Sequence, residues 1–183
     1  MNHLEELVAQ WFAYCGYFVR RNVLVGKRAR GGYECELDVI AYHPGQQRLV
    51  HVEPSLDADS WSERERRFAK KFAAGRAHIP ALFEGVNAPT EIHQIALLVF
   101  ANTNGKTLGG GVVAHASQLY REILWELRGR RVESQAVPEQ FPLIRTIQQC
   151  FQYCGADSAV LESTGDEVMF ASPARAAVPT GRT

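Results

Sequence analysis

Three segments with the character of β-strands follow one another between residues 17 and 53, and the links between them are short. Residues 17–25 (YFVRRNVLV), 35–42 (CELDVIAY) and 48–53 (RLVHVE) are rich in β-branched and aromatic residues. The first link contains the basic, glycine-rich run 26–32, and the second contains Pro44-Gly45, which breaks a strand. Links this short favour an antiparallel meander of three strands.

An amphipathic helix is predicted before the first strand. Apolar residues recur at the i, i+3, i+4, i+7 spacing of one helical face, namely Leu4, Leu7, Val8, Trp11, Phe12 and Cys15. Asn2 is suited to cap this helix because Glu5 stands three residues later, as in a capping box, and Gly16 is a natural stop. The helix is therefore expected over about residues 3–15.

A second helix and a fourth strand are predicted after the third strand, which is expected to end at Pro54. Ser60 and Glu63 match a capping box at the start of the helix, and Gly75 is placed to end it. Residues 94–101 (QIALLVFA) form a near-continuous apolar run, typical of a buried central strand. The order α-β-β-β-α-β predicts an α/β fold in which helices flank a mixed sheet of four or more strands.

The rest of the chain adds a turn, two helices and a tail. The three glycines at 109–111 predict a tight turn, since no Gly-Lys-Ser/Thr follows them as in a phosphate-binding loop. Helices are expected over 117–127 and 141–153. Residues 172–183 are rich in Pro, Ala, Thr and Arg with little to bury, so we expect disorder there. The chain shows no internal repeat and no linker, and residues 1–171 are expected to form a single domain.

Composition is typical of a soluble, cytoplasmic protein. The hydrophobic fraction is 46% and the charged fraction is 22%, both normal for a globular chain. No apolar run approaches the ~18 residues of a membrane helix, and the acidic start MNHLEELVAQ does not resemble a signal peptide. With 20 basic and 20 acidic residues, any binding of nucleic acid would depend on local basic patches.

Carboxylates stand on the second and third predicted strands. Glu36 and Asp38 lie two apart and so share a face, and Glu53 closes the third strand. Mg²⁺ is normally held by one or two protein carboxylates plus waters and phosphate oxygens, so these acids are candidate ligands. Acids at strand ends are also common on ordinary surfaces. His51 shares the side of Glu53, where a packed histidine is favoured over a ligand or a general base.

The motifs, in this order, resemble those of PD-(D/E)XK nucleases of the restriction-endonuclease and Holliday-junction-resolvase kind. LEELVAQWFAYCGYFV resembles their opening helix, GGYECELDVIAY resembles the strand that bears the aspartate, and RLVHVEPS resembles the next strand, which ends in Glu-x-Lys. The match covers about residues 3–76, with 94–101 fitting the next core element. It implies a restriction-endonuclease-like core, Asp38 and Glu53 as ligands of Mg²⁺ (or Mn²⁺), and Glu5 as an auxiliary acid.

Position 55 departs from the pattern of that family. Its lysine, which helps to position and activate the attacking water, is replaced by Ser55, and serine supplies no cation. Either Lys70 or Lys71 of the second helix reaches the site instead, as in some members of the superfamily, or the site has lost catalysis.

The resemblance implies Mg²⁺-dependent cleavage of DNA phosphodiesters. The alternative is a catalytically inactive nuclease-fold domain that binds nucleic acid or a protein partner. Contacts to phosphates are expected from basic residues of the second helix and of the first link, namely Arg64, Arg67, Lys27, Arg28 and Arg30. Many such nucleases act as homodimers, and the helices near 117–128 and 141–153 are candidates for a dimer face.

Overall fold

A computed structural model describes residues 2–100, 106–154 and 170 of the chain. It falls into two compact units, Met1–Ala116 and Ser117–Thr183. The predicted tail, 172–183, lies outside the described residues, and the expectation of one domain over 1–171 stays a prediction. None of the described helices combines the length and the apolar character that a bilayer crossing requires.

The first unit carries two long helices and six strands among its described residues. They are α1 His3–Tyr14, β1 Phe18–Val25, β2 Cys35–His43, β3 Arg48–Ser55, α2 Trp61–Leu82, β4 His93–Leu98, β5 Thr107–Leu108 and β6 Gly111–His115. The predicted order α-β-β-β-α-β is confirmed by the first six elements.

The six strands form one mixed sheet in the order β1-β2-β3-β4-β6-β5. The predicted antiparallel meander of β1, β2 and β3 is confirmed, while β4 lies parallel to β3 and β6 lies parallel to β4. β5 and β6 form a hairpin whose two-residue turn is Gly109-Gly110, both with positive φ. The α/β class, with helices flanking a mixed sheet, is therefore confirmed, as is the tight turn.

Helix α1 begins and ends as its sequence predicts. The Oδ1 atom of Asn2 accepts hydrogen bonds from the backbone N–H groups of Leu4 and Glu5, each at 3.0 Å. In return the carboxylate of Glu5 accepts from the backbone N–H of Asn2 at 3.1 Å, which completes the capping box. Gly16 follows with a φ of +87°, a conformation that suits glycine. The helix packs on β1, β2 and β3.

Helix α2 starts at the predicted capping box but does not end at Gly75. Ser60 Oγ accepts from the backbone N–H of Glu63, and the Glu63 carboxylate accepts from that of Ser60, but the helix continues to Leu82. A Cβ atom on Gly75 would lie 2.5 Å from Nδ1 of His51 on β3. Glycine is needed here because the helix approaches the sheet closely, and not because the helix stops.

Strand β3 runs through Pro54 to Ser55, so its predicted end at Pro54 is wrong. The ladder between β2 and β3 ends at Val39 opposite Val52. The carbonyl of Ser55 accepts from the N–H of Val99 beyond β4, so the nitrogen of Pro54 faces the opposite, β2 side. Pairing has stopped on that side, and a residue without an N–H is accommodated there. β2 and β3 diverge from this point.

The second unit is helical in its described part. It contains α3 Ala116–Leu127, which begins at the last residue of the first unit, α4 Val132–Gln135 and α5 Pro142–Cys154. The predicted helices at 117–127 and 141–153 are confirmed, and the one-turn α4 was not predicted. Within this unit the buried side chain of Gln148 accepts from the N–H of Val137 and donates to the carbonyls of Arg130 and Gln135.

Candidate active site

A cleft of about 340 Å³ lies where β2 and β3 diverge. Its lining includes Glu5 of α1, Asp38 of β2, Glu53 of β3 and Lys71 of α2. Four of the five residues predicted as catalytic therefore meet in one place, although the sequence distributes them over four elements. The fifth, Lys70, is exposed and does not line the cleft.

The pairing of α2 with β3 sets the positions of the side chains in the cleft. Every second residue of β3 meets every fourth residue of α2, because two strand residues advance about 6.6 Å and four helix residues about 6 Å. The contacts are Ser55 with Arg67, Glu53 with Lys71, and the approach of Gly75 to His51. The helix thus runs antiparallel to the strand and presents Lys71 to Glu53.

In the edge strand β1, the regular alternation of side chains between the two faces of the sheet is broken at the residue opposite Asp38. Arg21 reaches Glu6 on α1, whereas Val23 packs in an apolar cluster with residues of α2. These two positions would share a face in a regular strand. Asn22 between them has a φ of +51°, a left-handed conformation that asparagine tolerates better than most residues. The flanking pairs of the ladder place Asn22 across from Asp38.

Strand β2 breaks the regular alternation of its side chains between Leu37 and Asp38. Because of this irregularity, the side chain of Asp38 points toward α2. Leu37 belongs to the apolar cluster that includes Val23 and residues of α2, and Asp38, the next residue, is bonded by Lys71 of α2. Consecutive residues of a regular strand face opposite sides of the sheet. The irregularity places Asp38 beside Glu53, at the register position that follows the last β2–β3 pair.

Glu53 is buried, and three donors hold its carboxylate. The side chain is 1% exposed. Its Oε1 atom lies 2.7 Å from Nε2 of His51 and accepts from the backbone N–H of Asp38 at 3.2 Å. Its Oε2 atom accepts from the Lys71 ammonium. A buried carboxylate requires partners of this kind, and these fix its orientation. The predicted packing of His51 is confirmed, and the ring also bonds Glu53.

The ammonium of Lys71 bridges the two carboxylates. It donates to Oδ1 of Asp38 at 2.7 Å and to Oε2 of Glu53. Of the two lysines that the sequence left open, the geometry therefore favours Lys71 over Lys70, which is exposed.

The electrostatics of the cleft follow from burial and from the closeness of the two acids. Burial raises the pKa of Asp38 to about 7, and the hydrogen bond and charge of Glu53 add to the rise against the effect of Lys71. Burial by itself would lower the pKa of the Lys71 ammonium. The negative charges and hydrogen bonds of Glu53 and Asp38 outweigh burial and raise this pKa. Burial lowers the pKa of His51 to about 3, and the charge of Lys71 acts in the same direction. The candidate site thus joins a charged lysine to two acids that repel each other, and a neutral histidine is buried behind Glu53.

Ser55, which stands where the nucleases that the motifs resemble have a lysine, accepts a hydrogen bond from another cation. Its hydroxyl accepts from Nη2 of Arg67 at 3.0 Å and donates to Asp57 at 3.2 Å. The same guanidinium pairs with Asp57 at 2.8 Å and with Asp59 at 2.7 Å. Arg67 therefore brings positive charge to the cleft beside Lys71, although part of that charge is already paired.

The other basic residues proposed to contact phosphates lie in different surroundings. Arg64 is buried, and its guanidinium donates to the carbonyls of Asp57 and Phe100, so it ties two loops together. Lys27, Arg28 and Arg30 are exposed in the link between β1 and β2 and do not line the cleft.

The donor set fits one divalent cation that prefers oxygen. Asp38 and Glu53 converge on a single positive charge, that of Lys71, and Mg²⁺ is usually held by one or two carboxylates with water and phosphate in the remaining positions. Over residues 2–100 and 106–154, no group of three or more His, Cys, Asp and Glu side chains is arranged to hold a metal. Asp38 and Glu53 are the carboxylates of the cleft that could hold such a cation, with water and phosphate in its remaining positions.

Gln94 was not predicted as part of the site. It stands beside His51 in the register of β3 and β4, and its amide nitrogen lies 3.2 Å from Nδ1 of that ring. A glutamine at the start of an otherwise apolar strand was the available signal, but its use depends on a parallel pairing of β3 and β4 that the sequence does not reveal.

Comparison of the chain with models of protein families, with curated protein sequences and with solved structures found no match.

Proposed function

We propose that this chain is a metal-dependent DNA endonuclease with a restriction-endonuclease-like core of the PD-(D/E)XK type. The observation that carries the proposal is the Lys71 ammonium bonded to both Asp38 and Glu53 inside a cleft. The family that the motifs resemble combines two carboxylates with a lysine. Lys71 would supply from α2 the charge that Ser55 cannot supply from β3.

The arrangement of elements supports the same proposal. A helix precedes a three-stranded antiparallel meander, and a second helix leads to a strand parallel to the third. The two carboxylates stand on neighbouring strands where their ladder ends, and both line the same cleft.

The residues of the cleft divide the chemistry among them. Asp38 and Glu53 would hold Mg²⁺, which when bound activates a water and neutralises charge at the scissile phosphate. Once its carboxylate partners hold the cation, the Lys71 ammonium can turn to the attacking water or to a phosphate oxygen and orient it. Glu5 lines the same cleft from α1, although its carboxylate is also engaged with Asn2 in the capping box.

DNA would be held by positive charge at the wall of the cleft and in the link between β1 and β2. Arg67 lies at its wall, and Lys27, Arg28 and Arg30 extend from the link between β1 and β2. Contacts of this kind release counterions from the phosphate backbone, so binding should fall steeply as salt rises.

Nicking of supercoiled plasmid in Mg²⁺ or Mn²⁺ tests the proposal. We expect the wild-type chain to convert plasmid to open circles with metal and not with EDTA. Asp38→Asn and Lys71→Ala should each lower the rate by about 100-fold or more, because each removes a group that acts on the transition state. Lys70→Ala, a change of the same type at the neighbouring exposed residue, should keep the wild-type rate.

Two results would contradict the proposal. Equal loss of activity in the Lys70 and Lys71 variants would remove the special role of Lys71. No cleavage of duplex, single-stranded or branched DNA by the folded chain would favour the alternative, a catalytically silent nuclease-like module. Salt-sensitive binding of fluorescent DNA, measured by anisotropy, would then support a nucleic-acid partner over a protein partner.

A further inference from the structure

A chain of buried polar side chains lies behind Glu53, on the side away from Lys71. His51 is 0% exposed, its Nε2 atom lies 2.7 Å from Oε1 of Glu53, and the edge of its ring contacts Phe72. Its Nδ1 atom lies 3.2 Å from Nε2 of Gln94, whose Oε1 atom lies 2.5 Å from Nη1 of Arg76. Each hydrogen bond in this series has one donor and one acceptor, and so the series has a direction.

The groups at the outer end fix that direction. Arginine has donors and no acceptor, so Arg76 must face the carbonyl oxygen of Gln94. The amide nitrogen of Gln94 also donates to the backbone carbonyl of Phe72 at 2.9 Å, which can only accept. Two independent partners thus assign the amide, and its nitrogen must donate to Nδ1 of His51. The proton of the neutral imidazole then lies on Nε2, which donates to Glu53.

We propose that His51 is a positioning residue, which Gln94 holds in the Nε2–H tautomer so that its donation to Oε1 of Glu53 directs Oε2 into the cleft. This inference rests on the proposed function, in which Oε2 faces the cation. The Oε2 atom is the one that contacts Lys71, while Oε1 is engaged by His51 and by the N–H of Asp38. Partners that orient a metal ligand commonly change metal affinity when they are removed.

The packing around His51 agrees with this role. Gly75 gives the ring its room, since a Cβ atom there would lie 2.5 Å from Nδ1 and 3.0 Å from the amide nitrogen of Gln94. A side chain that only filled this space would be apolar. The structure instead buries an imidazole and an amide, both with their hydrogen-bonding groups satisfied, next to the carboxylate.

Two measurements on the whole chain test the inference. Long-range ¹H–¹⁵N correlation of the metal-free protein in EDTA reports which ring nitrogen of His51 carries the proton, and we expect Nε2. Titration with Mn²⁺, followed by electron paramagnetic resonance, reports affinity without any DNA. His51→Leu should weaken Mn²⁺ binding by about 10–100-fold. His51→Gln, whose amide nitrogen can reach the position of Nε2, should recover most of the loss.

The control is His43→Leu, which removes a histidine of β2 that packs on Tyr17 and does not line the cleft. It should leave Mn²⁺ affinity unchanged, and thermal unfolding of every variant confirms that it is folded. A proton on Nδ1, or wild-type Mn²⁺ affinity in His51→Leu, would overturn the role of His51.

The same experiment separates this inference from the proposed nuclease. Mn²⁺ binding that depends on His51, in a chain that cleaves no DNA, would overturn the nuclease and leave the role of His51 standing. Failure of the wild-type chain to bind Mn²⁺ would overturn both.

Discussion

Replacing Lys71 by methionine removes the ammonium that bridges Asp38 and Glu53 and keeps most of the apolar stem. The side chains of Lys71, Asp38 and Glu53 are 24%, 13% and 1% exposed, so the three charges are largely withdrawn from water. Two charge-assisted hydrogen bonds at about 1.5 kcal/mol each give a loss of about 3 kcal/mol. Removal of one partner from a buried ion pair costs about 3–5 kcal/mol, and the partly open cleft favours the low end.

A divalent cation should replace the missing ammonium. A ligand present at about 100 times its Kd adds about 2.7 kcal/mol to the free energy of unfolding, so Mn²⁺ at that concentration should cancel most of the loss in Lys71→Met. The wild-type chain should gain less at the same Mn²⁺ concentration, because the cation has to displace Lys71 from Asp38 and Glu53. The gap in stability between the two chains is therefore expected to narrow when metal is added.

Urea unfolding followed by circular dichroism, in EDTA and in Mn²⁺, measures both effects. Lys70→Met is the matched control, and as a change on an exposed residue it should stay within about 0.5 kcal/mol of the wild type. If the free energy of unfolding of Lys71→Met in EDTA lies within about 0.5 kcal/mol of the wild-type value, the stabilising role of the Lys71 ammonium is refuted. An equal gain from Mn²⁺ in the two chains would also contradict the prediction, because the cation would then not be taking the place of Lys71.

Three further changes test the local structure. Gly75→Ala should lower the free energy of unfolding, because overpacking against His51 costs about 1–3 kcal/mol and outweighs the gain of about 1 kcal/mol in helix propensity. A variant more stable than the wild type would contradict the close approach of α2 to His51. Ser60→Ala should cost about 1 kcal/mol through the lost cap of α2, and Ser60→Asp, which can still cap, should not. Burial raises the pKa of the Cys35 thiol, so at pH about 8 iodoacetamide should modify it more slowly than the exposed Cys150, as read by mass spectrometry. Equal rates of modification at Cys35 and Cys150 would contradict the raised pKa of the Cys35 thiol.

The helix starts and the meander could be predicted because their signals are local. Asn2 with Glu5 and Ser60 with Glu63 are complete capping boxes within four residues, and they cap α1 and α2 in the structure. The strands of the meander likewise keep their predicted bounds to within a residue or two.

Residues whose local meaning depends on distant partners could not be predicted in the same way. Gly75 has the character of a helix stop, but it lies inside α2 because His51 occupies the space of a side chain. Pro54 has the character of a strand end, but β3 continues because pairing with β2 has already stopped on the side of its nitrogen. In each case a neighbour that is remote in sequence overrides the local preference.

The residues of the candidate site also fall into those that the sequence predicts and those that depend on distant partners. The order of the motifs was enough to select Asp38 and Glu53, which the structure places together in the cleft. The choice between Lys70 and Lys71 depends on how α2 lies on β3, which no local pattern sets. The left-handed Asn22 across from Asp38 could be found only once the strands were paired.

Whether the chain is a nuclease that acts through Asp38 is decided by the rate of plasmid nicking in Mn²⁺. The wild-type chain and Asp38→Asn are compared at equal concentrations of folded protein. We expect open circles from the wild type, none in EDTA, and a rate at least about 100-fold lower for Asp38→Asn. Supercoiled plasmid that stays intact with the wild type, or equal rates from the two chains, would contradict the proposed nuclease.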